Sequence, residues 1–296
     1  MLLYDLINKC DGRFVEPREE GCGNCKYDNC CPHNCAMCLH YIHTPTAAPQ
    51  PRKYDCSHMA DFYFCKYSYR YASELVYALK RFKDIHNNSI LKVMSIGCGP
   101  CTELCAVDYL HENGVFTYEK LEFRGIDPLK EVWNSIHQDI KNYLREGSIE
   151  FYYQDILSLI DIVVTKKWMP DLVIFQYSFS DMYKNSSEQE IDKFIIKLST
   201  FINEVADKPV YILANDVNLS TAWKGGREFF DKLGKRLNEP KIFKPWHFDP
   251  NHKEKHYEYG EQYNSNDLVF KFSEEIDKRY APYNSCGSAQ ALMKRW

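Results

Sequence analysis

From Leu91 onward, short apolar runs alternate with longer amphipathic stretches, and no other feature of the chain restricts its fold as much. The runs LKVMSIG, KLEFRGID, IEFYYQD, DLVIFQYS, PVYILAND, KIFKPWHF and DLVFKF have strand character. Between them, apolar residues recur at helical spacing over Thr102 to His111, Leu129 to Leu144, Ser187 to Glu204 and Thr221 to Leu237. Strand and helix in alternation imply right-handed crossovers, hence a largely parallel sheet with helices on both faces. The last two strands lack a clear helix between them and read as a hairpin-like addition at one edge. At 296 residues and 45% hydrophobic content the chain can bury a full core.

The first part of the chain reads differently. Of thirteen cysteines, nine fall from Cys10 to Cys65, in a stretch rich in Asn, Gly and Pro and poor in aliphatic residues. An odd total without a secretory leader argues against a disulfide scaffold and for metal ligation. Cys22-x2-Cys25 and Cys35-x2-Cys38 are two short knuckles whose four thiolates can converge tetrahedrally on zinc. Cys30, Cys31, Cys56 and Cys65, with His40, His43 or His58, offer a second site whose membership stays open. Metal binding would supply folding energy that the segment lacks in apolar residues. The division expected is a Cys-rich zinc-binding module over 1–60, a connecting helix over 61–88, an α/β domain over 89–280 and a surface tail over 281–296.

A net charge of -4 gives no global basic field to capture nucleic acid. The opening MLLYDLINKCDGRF has no basic leader, and no apolar run approaches the roughly 18 residues that span a bilayer, so a soluble cytoplasmic protein without a membrane partner is expected. Oligomeric state is not legible.

The first strand runs into Gly97, Cys98, Gly99 and Pro100 before a helix begins. In an open parallel sheet the ligand lies beyond the carboxyl ends of the strands, where this loop is. Glycine allows positive φ and lets a ligand approach the main chain, though a tight strand-to-helix turn needs glycine as well. The second strand ends at Asp127, where a carboxylate can accept from two ribose hydroxyls or begin the helix that Pro128 announces. The third ends near Asp155 and Ile156, and the fourth in the segment Gln176 to Asp181.

With these residues, the stretch from Leu91 to Phe272 resembles the class I S-adenosylmethionine-dependent methyltransferases in motif order and spacing. The resemblance implies an α/β, Rossmann-like methyltransferase sheet preceded by the small Cys-rich metal-binding module. It also implies that Gly97, Cys98 and Gly99 meet the methionine part of the cofactor, that Asp127 holds the ribose, and that Asp155 and Ile156 border the adenine. Gln176 and Tyr177 would face both cofactor and substrate. Two departures stand out: Ser95 where many members carry an acidic residue, and Cys101 where many carry a third glycine.

Methyl transfer requires alignment, exclusion of water and, for some acceptors, removal of a proton. The Asn/Asp-Pro-Pro-aromatic loop used for base amines is absent, because the place after the fourth strand reads QYSFSDM. No cysteine follows the fourth or fifth strand, which argues against a covalent cytosine mechanism. Tyr177 and Asp181 are the catalytic candidates, with Asn215 and Asp216 behind them. His247, His252 and His256 lie in a segment that Pro250 interrupts and read as a non-metal loop. A zinc module joined to such a domain favours RNA as the acceptor, since several RNA methyltransferases are built this way; a protein or small-molecule acceptor stays open. Two rival readings are an inactive binding or regulatory protein on the same fold, and an iron-sulfur radical enzyme using Cys31-x3-Cys35-x2-Cys38.

Overall fold

The computed structural model describes residues 1–15, 34–44, 47–50, 52–82, 85, 89–144, 147–156, 168–205, 208–219, 225–238, 241–247 and 267–295. Its centre is a seven-stranded sheet in the order β3-β2-β1-β4-β5-β7-β6. The strands are β1 (Ile90–Ile96), β2 (Lys120–Ile126), β3 (Ser148–Tyr152), β4 (Leu172–Gln176), β5 (Val210–Val217), β6 (Lys241–His247) and β7 (Ser288–Arg295). β1 to β5 are mutually parallel, and β7 runs antiparallel to both β5 and β6. The fold is therefore the expected Rossmann-like α/β sheet, with its reversal of strand order between β1 and β4.

Alternation along the strands builds two cores. Val93, Leu121, Phe123, Leu172, Ile174 and Leu213 enter one. Met94, Ile126, Val173, Phe175, Ile212 and Met293 enter the other. Burial on both faces explains why β4 and β5 read as continuous apolar runs. The first core is covered by α1 (Leu2–Arg13), α2 (Cys35–His43), α3 (Ser57–Leu79), α4 (Thr102–Glu112) and α5 (Lys130–Tyr143). The second is covered by α6 (Ser178–Asn185), α7 (Glu188–Val205) and α8 (Glu228–Gly234). A last helix, α9 (Glu274–Tyr280), starts at Ser273, whose hydroxyl accepts from Ile276 N. No helix among the described residues is long and apolar enough to cross a membrane.

Three expectations are corrected. The segment 281–296 is not a surface tail: β7 is buried between β5 and β6 and completes the sheet. DLVFKF is not a strand. It makes one bridge, Asp267 to Ser285, and sends Leu268 and Phe270 into the first core. The helix expected over Thr221 to Leu237 is described only as α8, which follows Gly225 and Gly226, two poor helix formers. α3 begins at Ser57 and ends at Leu79, earlier at both ends than the helix expected over 61–88, and α1 packs on α3, α4 and α5, so the N-terminal helices share the core of the sheet.

Candidate functional site

The loop leaving β1 is fixed by its neighbours. Gly97 N and Cys98 N both donate to Ile126 O, at 2.9 and 3.1 Å, which ties the loop to the end of β2. Gly97 and Gly99 have φ of 66° and 47°, and Cys101 follows in the left-handed region at 59°. A Cβ on Gly97 would stand 2.7 Å from Ser178 Cβ, so the start of α6 demands glycine there. A Cβ on Gly99 would meet only the edge of Trp133, at 4.0 Å. The first glycine thus serves packing, and the second leaves room.

Asp127 joins this loop to the next one. Its Oδ2 accepts from Gly99 N and its Oδ1 from Leu129 N, each at 2.9 Å. Ligand-type and turn-type readings of this residue are compatible, because each oxygen keeps a further lone pair. Burial outweighs the two amide bonds and pushes its carboxyl up to about 6. Below the loop Ser95 Oγ donates to Glu103 Oε1, in the first turn of α4. Burial pushes Glu103 up to about 7. At the end of β5, Asp216 accepts from Ser180 N at 2.9 Å and Val217 N at 2.7 Å, capping α6, and burial raises it to about 6. Among the described residues none of these three carboxylates belongs to an ion pair.

Gln176 and Tyr177 face inward, toward α3. Tyr177 OH donates to Glu74 Oε2 at 2.9 Å, and its ring stacks on Tyr71 at 4.1 Å. Gln176 Oε1 accepts from Asn215 Nδ2 at 3.0 Å, and Asn215 also donates to Glu74 Oε2 at 3.0 Å. Arg70 Nε and Gly287 N, both at 2.9 Å, donate to the other oxygen of Glu74. Glu74 is fully buried and receives four donors from α3, β4, β5 and the start of β7. Burial holds the Tyr177 phenol well above its ordinary range, so it stays protonated as a donor. Asp181 is half-buried, 3.3 Å from Lys184, and its charge is felt at Asp127, Asp216, Tyr54 and Tyr63. Asp155 is exposed just past β3, and Ile156 rests against the second core.

An aromatic wall runs along the same edge. Trp133 meets Tyr63 at 5.5 Å, Tyr63 meets Tyr67 at 4.6 Å, and Tyr67 stacks on Tyr71 at 5.5 Å, leading to Tyr177. Tyr63, Tyr67 and Tyr71 repeat every fourth residue on one side of α3. Tyr54 closes against Tyr63 and accepts or donates to His43 Nε2 at 2.7 Å.

Cys98 Sγ, Cys101 Sγ and His137 Nε2 lie within 4.8 Å of one another, the one such group among the described residues. They do not fit a metal ion. His137 Nε2 is 2.7 Å from Gly99 O, which only accepts, so that nitrogen carries the hydrogen, and Nδ1 faces Tyr153 OH at 3.0 Å. Burial pushes the Cys98 thiol up to about 11 and the Cys101 thiol well above its usual range, so both keep their protons. His137 anchors the loop.

Cys22, Cys25, Cys30 and Cys31 lie outside the described residues. Cys35 and Cys38 stand one turn apart at the start of α2, with Arg52 Nη1 3.7 Å from Cys38 Sγ. Cys56 precedes α3, and Cys65 is buried in the seam with α1, its sulfur 4.0 Å from Ile7 O. Sequence reasoning missed Glu74, Glu103 and His137; each sits on a helix, where a lone polar residue gives no sign of which way it faces.

No protein-family model and no curated protein matches the chain. Among solved structures it is similar to a methyltransferase homolog protein from Pyrococcus horikoshii, at 12% identity and TM-score 0.40, over 72% of this chain and 64% of that one. It is also similar to SMU.776, complexed with SAH, at 13% identity and TM-score 0.41, over 74% of this chain and 49% of that one. The third is the plantazolicin methyltransferase BpumL in complex with SAH, at 11% identity and TM-score 0.39, over 100% of both chains. The chain spans less than two thirds of the length of the first two. At these identities the likeness is one of fold alone.

Proposed function

We propose that the chain binds S-adenosylmethionine where strand order reverses and transfers its methyl group, with RNA as the acceptor. One observation carries the reading: Asp127 is held at the end of β2 by the amides of Gly99 and Leu129, beside a loop of positive-φ glycines. The residues fit the cofactor. Each Asp127 oxygen has a lone pair left for a ribose hydroxyl, and Gly99 presents backbone without a Cβ.

When bound, the sulfonium supplies an activated methyl carbon and a thioether leaving group. Asp127 orients the ribose end, and the wall from Trp133 to Tyr177 keeps water from one side. Asp181, half-buried beside Lys184, is the group that takes a proton from the acceptor. Tyr177 positions rather than reacts, since its hydroxyl is committed to Glu74.

The Cys-rich segment favours RNA, with Cys22, Cys25, Cys35 and Cys38 holding zinc. Calorimetric titration of S-adenosylmethionine tests the cofactor, and Asp127→Ala is expected to abolish binding. Equal binding by that variant would overturn the reading. Transfer of a labelled methyl group to RNA, protein and small-molecule fractions tests the acceptor. Binding without transfer to any fraction would favour the inactive regulatory reading, which the inward-turned Gln176 and Tyr177 support.

A further inference from the structure

The loop after β1 carries the run Cys98-Gly99-Pro100-Cys101, two thiols separated by two residues. Cys101 N donates to Cys98 O at 2.8 Å, which closes the four residues into a hydrogen-bonded turn. Such a turn holds its end Cα atoms within about 7 Å, and a disulfide spans Cα atoms about 4.4–6.8 Å apart. The two sulfurs lie within 4.8 Å of one another, and both are free thiols. Each is seated by its surroundings. A Cβ on Gly125 of β2 would come within 2.9 Å of Cys98 Sγ, so β2 leaves space for that sulfur. Cys101 holds a φ of 59°, a left-handed conformation that glycine adopts freely and cysteine does not. A side chain kept there against the preference of its backbone points to a use for its sulfur.

We propose that Cys98 and Cys101 form a redox-sensitive pair, which hydrogen peroxide converts to a disulfide that disables the cofactor loop. Cys98 is the entry point, since it follows the half-buried Gly97, whereas Cys101 is fully enclosed. Burial keeps both thiols protonated, so the reaction is slow, and the enclosure favours a small oxidant. The Cys98 sulfur attacks one peroxide oxygen and the O–O bond breaks, leaving a sulfenic acid; the departing hydroxide takes the Cys98 proton and leaves as water. Cys101, at the N-terminus of α4 and 3.7 Å from His137 Nε2, then attacks the Cys98 sulfur. The S–O bond breaks, and hydroxide takes the Cys101 proton to leave as a second water. Two thiols and one peroxide thus become one disulfide and two waters. Closing the sulfurs to about 2.05 Å tightens the turn around Gly99, whose N donates to Asp127 Oδ2 and whose O accepts from His137. The loss of cofactor binding rests on the cofactor reading above, and the disulfide itself does not.

The test treats reduced wild type with hydrogen peroxide, alkylates the remaining thiols in denaturant and maps the peptides by mass spectrometry. A bond between Cys98 and Cys101 that dithiothreitol reverses is expected. Recovery of both cysteines alkylated, or a bond from either to a third cysteine, would overturn the proposal. Calorimetry then compares S-adenosylmethionine binding by the reduced and oxidised protein. The oxidised form is expected to bind at least tenfold more weakly and to recover with dithiothreitol, and Cys101→Ser is expected to show no such response to peroxide. A mapped disulfide with unchanged affinity would overturn the switch, as would the same weakening in Cys101→Ser, which would trace it to other cysteines. The wild-type map and titrations need no variant, so the proposal stays testable if Cys101→Ser fails to fold. Reduced wild type that binds no S-adenosylmethionine would instead remove the cofactor reading, and the map would still decide whether the disulfide forms.

Discussion

Glu103 carries a consequence for stability. Its folded carboxyl titrates near 7, well above the ordinary carboxylate range that the unfolded chain shows. As pH falls from 7.5 to 5 the folded state takes up this proton first, so the residue adds stability on acidification and the gain is gone once pH rises through 7. Asp127 and Asp216, near 6, act in the same direction. His43 and His137, lowered by burial to about 4, act oppositely, because the unfolded chain takes their protons first below 6.5. Wild type alone mixes the effects of these groups, but Glu103→Gln isolates one. Denaturant unfolding at the two pH values is expected to show the variant faring worse relative to wild type at pH 5 than at pH 7.5, by about 2 kcal/mol. A difference that does not change with pH would mean that Glu103 titrates normally. At Gly97 the outcome is simpler: Gly97→Ala puts a Cβ 2.7 Å from Ser178 Cβ at positive φ, and is expected to cost about 1–3 kcal/mol of unfolding free energy in the same assay.

At the scale of elements, α3 decides how the site is backed. Glu74 is the meeting point of Arg70, Tyr177, Asn215 and Gly287, so Glu74→Ala leaves a half-buried guanidinium and three further donors without their acceptor. The expected loss is about 3–5 kcal/mol in denaturant unfolding, and Glu74→Gln, which retains one acceptor oxygen, should lose less. The sequence pattern announced α3 through its apolar spacing but not this role, because α3 also carries the half-buried His58, Lys66 and Arg70, and the pattern does not separate Glu74 from them. β1 to β6 were legible as apolar runs bounded by polar strand ends, and the loop with Asp127 was legible from its place after two of them. β7 was not. SAQALMKR contains no β-branched or aromatic residue, and it is a strand because β5 and β6 pair with it on either side. DLVFKF had the composition of a strand, yet it makes only the bridge from Asp267 to Ser285 and spends Leu268 and Phe270 on the first core. The inward turn of Gln176 and Tyr177 depends on Glu74, roughly a hundred residues earlier, a contact that periodicity does not carry.

For the molecule as a whole, the question is whether the Cys-rich part and the α/β part behave as one body. Arg13 on α1 bonds Asp61 on α3 at 2.8 Å and pairs with Asp139 on α5, and α1 to α3 share the first core with the sheet. Zinc held by the knuckles and a cofactor held at the strand ends would then stabilise the same cooperative unit. Mass action sets the size of the second effect: a ligand at a hundred times its Kd adds about 2.7 kcal/mol when it binds only the folded state. In a chain of this length that moves Tm by about 4 °C. Calorimetric scans are therefore expected to show one transition, raised by S-adenosylmethionine and lowered by a zinc chelator. Two transitions, one answering only to the chelator and the other only to the cofactor, would make the Cys-rich segment a domain with its own stability and would confine the shared core to α1 and α3. One transition moved by both would tie metal occupancy to the cofactor site through α3, whose tyrosines wall that site on one side and whose first turn follows Cys56 on the other.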